Sequence, residues 1–494
     1  MDYVLGIDIS TTGAKALLLG DGRVIASHTV GQSVSTPHPL WSEQNPDDWW
    51  DGISEAIRSV IVDTAIDPAA IKAIGVTGQM HGLVILDSAG KVLRPSILWN
   101  DQRTQAQCDQ ITEAIGPVEV IRITGSRVLT GFTAPKLLWV RRNEPGVYRR
   151  VAHMLLPKDY IRFRLTGEYA TDTSDASGTS LLDVGARAWS TKVVDKLAIK
   201  AEWLPKLYEG PEVTGRVTAA ASKATGLVKG TPVVAGAGDQ AAAAIGMGLT
   251  APGLVSVTVG TSGVVFAPLE HYIYEPNGSI HAFCHAVPGL WHWMGVMLSA
   301  AGALQWYRDT LAPNVRFESL LAEAESVPAG SDGLLFLPYL SGERTPHPDP
   351  LARGAFIGLT ARHTRGHMTR AVLEGVAFGL NDSLSLMRDG GVPMPEVVRL
   401  AGGGSRGALW RQIIADVLDI PVETAPTSEG SALGAGILAM VGAGWFGTVA
   451  EACDVWIGKG EGTEVSDDRA RYADLYPVYR TLYPTLHDIF PQLV

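Results

Sequence analysis

Asp8-Ile9-Ser10-Thr11-Thr12-Gly13 returns 250 positions later as Thr258-Val259-Gly260-Thr261-Ser262-Gly263. Each copy stands between two apolar runs, residues 3–9 and 14–19 around the first, 254–259 and 264–269 around the second. Such a unit reads as strand, hydroxyl-rich turn, strand. After the first unit the hairpin signal Asp21-Gly22 leads into residues 23–30, so the chain opens on a β-meander. Two like units, one opening each half, indicate a duplicated two-lobe protein. If the lobes face each other, both turns can grip one polyphosphate in the cleft between them. Thr11, Thr12 and Lys15 would do so from the first turn, Gly260 and Thr261 from the second. Asp8, at the strand end, could hold a magnesium ion through water. A plain hairpin with polar turn residues satisfies the same letters. There is no G-x-x-x-x-G-K-[ST], so any nucleotide is held without a P-loop.

A chain of 494 residues with 46% apolar and 18% charged content is expected to form more than one globular domain. The net charge of −11 comes with no basic block, which speaks against a nucleic-acid partner. Cys108, Cys284 and Cys453 are odd in number, far apart and outside any C-x-x-C spacing. That pattern fits a reducing, cytoplasmic setting without a disulfide frame or a zinc site. Met1-Asp2-Tyr3-Val4 shows no signal-peptide pattern. The uncharged stretch 240–269 is long enough to raise a membrane question, but its glycines, Pro252 and hydroxyls read as turns between buried strands.

That stretch begins beside a second motif, Val233-Val234-Ala235-Gly236-Ala237-Gly238-Asp239-Gln240, which runs into Ala241-Ala242-Ala243-Ala244. A β-branched run enters a glycine turn, Asp239 stands at its mouth, and the alanines open a helix. Three readings of Asp239 compete. It can cap the helix N-terminus. Gly236 to Ala241 fits the dinucleotide pattern G-x-G-x-x-A, although the next acid, Glu270, lies well beyond the roughly 20 residues that fingerprint requires. Or the lone acid serves as general base for a hydroxyl held above it.

Elsewhere, Asn45-Pro46-Asp47-Asp48 starts a helix with a cap, a first-position proline and first-turn acids. Met80, His81, Trp99, Asp101 and Arg103 fall at strand ends, where open α/β sheets place ligands, and together would suit a polyol. Taken singly, each also reads as a structural residue. Residues 151–183 read as a helix and then a polar loop, Thr171-Asp172-Thr173-Ser174-Asp175-Ala176-Ser177-Gly178, with no assignable chemistry. Gly402-Gly403-Gly404-Ser405, between a strand and a helix, would let a flat ligand approach the backbone, with the small-residue helix start from Ser428 to Gly436 as the other wall. Close strand–helix packing explains both stretches equally well. Near the C-terminus Tyr479, Leu482, Tyr483, Leu486 and Phe490 form a core stripe, with Pro484 expected to kink or limit the helix.

Assembled, these stretches resemble the FGGY carbohydrate kinases nearly end to end. Gly131-Phe132-Thr133-Ala134-Pro135-Lys136-Leu137-Leu138-Trp139-Val140 fits the family's first signature, and residues 354–374 the second. Gly78-Gln79-Met80-His81-Gly82, Leu98-Trp99-Asn100-Asp101 and Leu340-Ser341-Gly342-Glu343-Arg344-Thr345-Pro346-His347 are similar to the branch that acts on D-xylulose. The Arg-Glu pair of glycerol-acting members is missing near Met80-His81. The resemblance implies an α/β protein of two actin-like (ribonuclease H-like) lobes, mixed sheets flanked by helices, with ATP and sugar in the cleft. We expect residues 1–245 to form the sugar and phosphate lobe and residues 246–494 the adenosine lobe.

The resemblance further implies that Asp239 is the general base, that Met80, His81 and Gln240 contact the sugar, and that Asp8 and Asp239 meet Mg²⁺ through water. Gly402, Gly403, Gly404 and Ser405 then support adenosine. Two positions depart from the family pattern: Ser10 stands where glycine is usual, and Gln240 where many D-xylulose members have asparagine. The expected reaction is ATP-dependent phosphorylation of D-xylulose to its 5-phosphate. L-ribulose or a sugar alcohol as acceptor, or a non-catalytic sugar or nucleotide sensor on the same fold, are the alternatives. A homodimer is suggested by the family resemblance and by nothing else in the sequence.

Overall fold

The computed structural model describes residues 1–425 and 429–493. Its first strands pair as the repeated turn requires. β1 (Tyr3–Ile9) and β2 (Gly13–Gly20) run antiparallel with Ile9 opposite Ala14, and β3 (Arg23–Gly31) continues the meander. β4 (Ile71–Gly78) lies parallel to β1 on its other side. β5 (Val213–Arg216), β6 (Pro232–Val234) and the short β7 (Ala237–Gly238) complete the sheet, in the order β5-β6-β4-β1-β2-β3 with β7 on the end of β4.

The second sheet repeats the plan. β8 (Val255–Val259) and β9 (Gly263–Leu269) form the hairpin, and β10 (His281–Cys284) and β11 (Trp291–Met297) extend it. β12 (Val398–Ala401) runs parallel to β8, followed by β13 (Val422–Thr424) and β14 (Gly462–Thr463). The order is β10-β11-β9-β8-β12-β13-β14. The five-strand runs β6-β4-β1-β2-β3 and β13-β12-β8-β9-β11 therefore follow one plan, and the duplication read from the turns extends to most of each sheet.

Both faces of β1 are covered, as its near-continuous burial demands. Leu5, Ile7 and Ile9 join a core with Trp49, Ile53 and Ile57 of α1 (Pro46–Thr64). That helix starts as expected, with the Asn45 side chain accepting from the Asp47 amide. By strand alternation Val4, Gly6 and Asp8 point to the opposite face. Residues 151–183 are more structured than a helix and a loop. They form α2 (Pro157–Thr166), a strand over Ala170–Asp172, and α3 (Thr173–Ser177).

The alanine run is α4 (Asp239–Gly246), so the uncharged stretch 240–269 divides into a helix, turns and the β8–β9 hairpin. Among the described residues no helix is long and apolar enough to cross a membrane. In the second lobe α5 (Arg365–Asp389) is the long core helix. The C-terminal stripe caps that core: Tyr479, Leu482 and Phe490 are buried, and Pro484 falls in a five-residue helix, Leu482–Leu486.

The two halves interlock. α6 (Gly430–Gly442), from the second half, lies on the first sheet, and its Leu433 and Ile437 share a core with Val4, Leu17 and Ala241. The approach is so close that a Cβ on Gly75 of β4 would stand 1.9 Å from the Ala435 carbonyl oxygen, and one on Gly6 2.1 Å from that of Ala432. The small residues expected at this helix thus serve close packing beyond its first turn. Ser428 lies outside the described residues.

Candidate active site

Asp239 is reached by a forced turn. Gly236 has φ +80° and a Cβ there would stand 1.7 Å from the Val76 carbonyl oxygen, so only glycine fits. The cap position of α4 is Gly238, with no side-chain capping bond, and Asp239 is the first helical residue. The helix-cap reading of Asp239 is therefore set aside. Burial pushes its carboxyl up to about 7, the Asp8 charge adds to the rise, and hydrogen bonds from Gln240 oppose it. Asp8, on the helix-covered face at the end of β1, is raised to about 6 by burial, against the attraction of Lys15 and with help from Glu429. Its Oδ1 is buried and without a hydrogen bond.

Two like-charged acids, one with an orphaned oxygen, are the hard-oxygen donor set that a divalent cation accepts through water. No group of three or more His, Cys, Asp or Glu among the described residues forms a dedicated metal cage. The two carboxylates, rather than a closed protein site, would hold such an ion.

The first turn is stitched internally. The Ser10 hydroxyl donates to the Gly13 carbonyl oxygen at 3.0 Å and accepts from the Gly13 amide at 3.0 Å, so the serine at the family's glycine position folds back onto its own turn. Thr11 Oγ1 donates to Gln79 Oε1 at 3.1 Å and accepts from Trp99 Nε1 at 3.0 Å. That hydroxyl is engaged by protein, and the Thr11 carbonyl oxygen accepts from Gln44 Nε2 at 2.8 Å, so only its amide could meet a phosphate. Thr12 is exposed. Lys15 Nζ reaches Glu429 Oε2 across the cleft at 2.7 Å. In the second turn the Gly260 amide donates to the Ser262 carbonyl oxygen at 3.0 Å, and Thr261 is exposed.

A cavity of about 660 Å³ opens between the lobes, lined by Asp8 and Lys15 on one side and by Thr258, Gly402, Gly403 and Ser405 on the other. The glycine triplet has split duties. Gly402 has φ +87° and no room for a Cβ beside the Val259 carbonyl oxygen, and Gly404 is packed on the Val259 side chain. Gly403 faces open space, where a flat ligand could lie on the backbone. Ser405 Oγ donates back to the Gly402 carbonyl oxygen at 2.7 Å. Gly430 and Ser431, at the start of α6, line the same cavity. The small-residue helix thus forms a wall at its first turn and packs closely beyond it.

His81 sits at φ +68° with its ring stacked on Phe132, centroids 4.5 Å apart. Burial drives its pKa down to about 3, so the ring is neutral. Nδ1 lies 2.8 Å from the Gly178 carbonyl oxygen, which can only accept. The proton is therefore on Nδ1, and Nε2 presents a lone pair to a ligand hydroxyl. Met80 is buried against Gly238, where a Cβ would meet its Cγ at 2.9 Å. Trp99 is 39% exposed, too open for a core residue.

Asp101 lies apart from this group. It is fully buried, its Oδ2 accepts from the Ser42 amide at 2.7 Å, and both oxygens bind Arg103. Arg103 in turn pairs with Glu43 and stacks 3.6 Å from the Trp41 ring. Both residues belong to a structural knot, and no carboxylate oxygen of Asp101 is left for a sugar.

The loop without assignable chemistry lies beside the site. Gly178 orients His81, and the Ser174 hydroxyl accepts from the Gly238 amide at 3.2 Å, one residue before Asp239. Lys136, of the first signature, donates to the His81 carbonyl oxygen at 2.8 Å. The dense Asp/Ser/Thr run at 171–178 was the available signal, but nothing in it says which strand end it packs beneath.

The chain belongs to the FGGY family of carbohydrate kinases. Residues 3–246 match that family's N-terminal domain and residues 255–443 its C-terminal domain. It is accordingly a phosphotransferase, with ATP as the family's phosphoryl donor. Among curated proteins it is 44% identical over 442 residues to a xylulose kinase of Escherichia coli (strain K12), covering 89% of this chain and 90% of that one. Among solved structures it matches a xyloylose kinase from Brucella ovis with TM-score 0.94 and 40% identity, over 99% of this chain and 100% of that one. A gluconate kinase from Lactobacillus acidophilus matches with TM-score 0.95 at 28% identity, over the full length of both.

Proposed function

We propose that this chain phosphorylates D-xylulose on its C5 hydroxyl with ATP, using Asp239 as general base. The observation that carries the mechanism is the buried Asp239 carboxyl, raised to about 7 and preceded by Gly238, which packs on Met80, next in sequence to a neutral His81 whose Nδ1 faces Gly178 and leaves Nε2 free to accept. The kinship with named xylulose kinases supports the choice of sugar.

The sugar lies against Met80 and His81, with one hydroxyl donating to Nε2 and the reacting hydroxyl donating to Asp239. As the C5 oxygen attacks the γ-phosphorus, the bond to the ADP oxygen breaks and the hydroxyl proton passes to Asp239. Backbone groups of the turns at residues 10–13 and 260–263 hold the phosphates, Lys15 adds a positive charge, and Gly402 to Ser405 support adenosine. Asp8 and Asp239 would hold Mg²⁺ through water, and that ion would supply neutralisation of phosphate charge. Lobe closure excludes water, so ATP hydrolysis without sugar stays slow. In this reading residues 1–245 form the sugar side and residues 246–494 the adenosine side, in a cytoplasmic enzyme.

The test is ADP release with Mg-ATP against D-xylulose, L-ribulose, sugar alcohols and gluconate, with Asp239→Asn as control. D-xylulose-dependent turnover lost in the control is the expected result. Turnover with another acceptor alone moves the substrate, and sugar binding without any turnover replaces the kinase by a sensor.

A further inference from the structure

We propose that Ser174 is a positioning residue for phosphoryl transfer, setting where the Asp239 carboxylate stands relative to His81. The inference rests on the base assignment above and adds the device that holds the base.

Asp172 caps α3, its Oδ2 accepting from the Ser174 amide at 2.7 Å and from the Ser174 hydroxyl. With its proton committed to Asp172, Ser174 Oγ turns a lone pair toward the Gly238 N–H, 3.2 Å away. That amide belongs to the peptide unit immediately before the one that leads into Asp239. At the far end of the same short turn, the Gly178 carbonyl oxygen fixes His81 Nδ1 at 2.8 Å. One short segment thus touches His81 itself and the turn that carries Asp239.

The segment is anchored where water cannot compete. Lys158 Nζ lies 2.8 Å from Asp172 and 2.5 Å from Asp159, and all three side chains are fully buried. Neither contact point has slack. A Cβ on Gly238 would meet Met80 Cγ at 2.9 Å, and one on Gly178 would meet His81 Nδ1 at 2.4 Å. The Met80-His81 dipeptide is clamped between the base's turn and the Ser174 turn. Losing the Ser174 bond leaves a buried Gly238 amide unpartnered and frees the base's turn to shift. Displacements of about 1 Å in a reacting constellation can cost on the order of 100-fold in rate.

The experiment compares Ser174→Ala, Ser174→Thr and Asp172→Asn in the full-length enzyme with its best acceptor sugar. Sites are counted by calorimetric titration of that sugar, so that misfolded protein is not scored as slow enzyme. In Ser174→Ala, kcat per binding-competent site is expected to fall about 10- to 100-fold while sugar KM stays within about threefold. Ser174→Thr, which keeps the hydroxyl, restores most of kcat, and Asp172→Asn falls as the alanine variant does. A purely structural role lowers the number of competent sites and leaves kcat per site unchanged. Ser174→Ala at wild-type kcat per site overturns the proposal, as does Asp172→Asn at wild-type kcat per site. A wild-type enzyme silent with every acceptor overturns the base assignment instead, and this inference with it.

Discussion

Turnover should follow the ionisation of Asp239, and burial sets the direction of the effect. Burial and the neighbouring Asp8 raise the Asp239 carboxyl to about 7. Only the ionised form can accept the sugar proton. With that pKa the ionised fraction is about 1% at pH 5, about 50% at pH 7 and about 90% at pH 8. Sugar-dependent kcat/KM should therefore climb by roughly 90-fold from pH 5 to pH 8 when divalent cation is scarce. A divalent cation stabilises the ionised pair, so raising its concentration should slide the acid limb to lower pH. Asp8→Asn removes a charge that raises the Asp239 pKa, so whatever turnover remains should also show a limb at lower pH. Asp239→Asn should lose about 10²–10⁴ in kcat with a near-normal sugar Kd. The assay is initial ADP release at matched ionic strength from pH 5 to 8, at two metal concentrations. A flat profile at both concentrations, or an asparagine variant within tenfold of wild type, would refute the assignment.

Two further outcomes follow from other buried groups. In His81→Asn the amide N–H can replace Nδ1–H toward Gly178, and asparagine tolerates the left-handed backbone at φ +68°. The variant lacks the acceptor at Nε2, so sugar Kd by calorimetry should weaken by about 5- to 150-fold, the cost of about 1–3 kcal/mol for an unmet hydroxyl; unchanged affinity would remove His81 from the sugar site. Asp382 is raised to about 7 by burial, against a hydrogen bond from the Tyr476 hydroxyl. Its folded pKa lies above its unfolded value, so the folded state keeps the extra proton and stability falls as pH rises from about 4 to 7. Asp382→Asn should match wild type near pH 4 and gain about 2–4 kcal/mol at pH 8 in chemical denaturation, and an equal difference at both pH values would contradict this.

The sequence made the fold legible because the fold is a repetition. A strand–turn–strand unit with hydroxyls at the same offsets identifies itself by recurring, and its strands take the same central place in both sheets. Asp239 stood out for a local reason, an acid alone at the mouth of a glycine turn, but that pattern left the cap, dinucleotide and base readings open, and it was the family resemblance that implied the base. What sequence could not separate was a side chain offered to a ligand from one used by the protein. Asp101 and Trp99 stand two residues apart, yet one is sealed by Ser42 and Arg103 while the other lies open beside Thr11. The difference lies in Ser42, 59 residues away from Asp101, and no local pattern records that meeting. Residues 171–178 stayed silent for the converse reason. Their polar groups act on Gly238 and His81, each more than 60 positions distant.

In the proposed mechanism the chemistry belongs to one lobe, and the duplication offers a reason. Asp8 in the first turn has Thr258 as its counterpart in the second, and Lys15 has Val265. Had both copies kept the acid, two carboxylates would face one polyphosphate from opposite sides, and like charge would oppose its binding. With a threonine on one side, the second turn can meet phosphate oxygens through backbone N–H and hydroxyl groups alone. In the proposed mechanism the first side is left with Asp8, Lys15 and the nearby Asp239, and so would take any cation and the acceptor. The second sheet instead brings Gly402 and Gly404 against Val259, at the foot of its own turn, leaving Gly403 open for a flat group. Divergence at a few positions of a repeated hairpin is enough to give the cleft a polarity that suits the proposed placement of nucleotide on one side and acceptor on the other, and in-line transfer needs the reactants on opposite sides of the moving phosphorus.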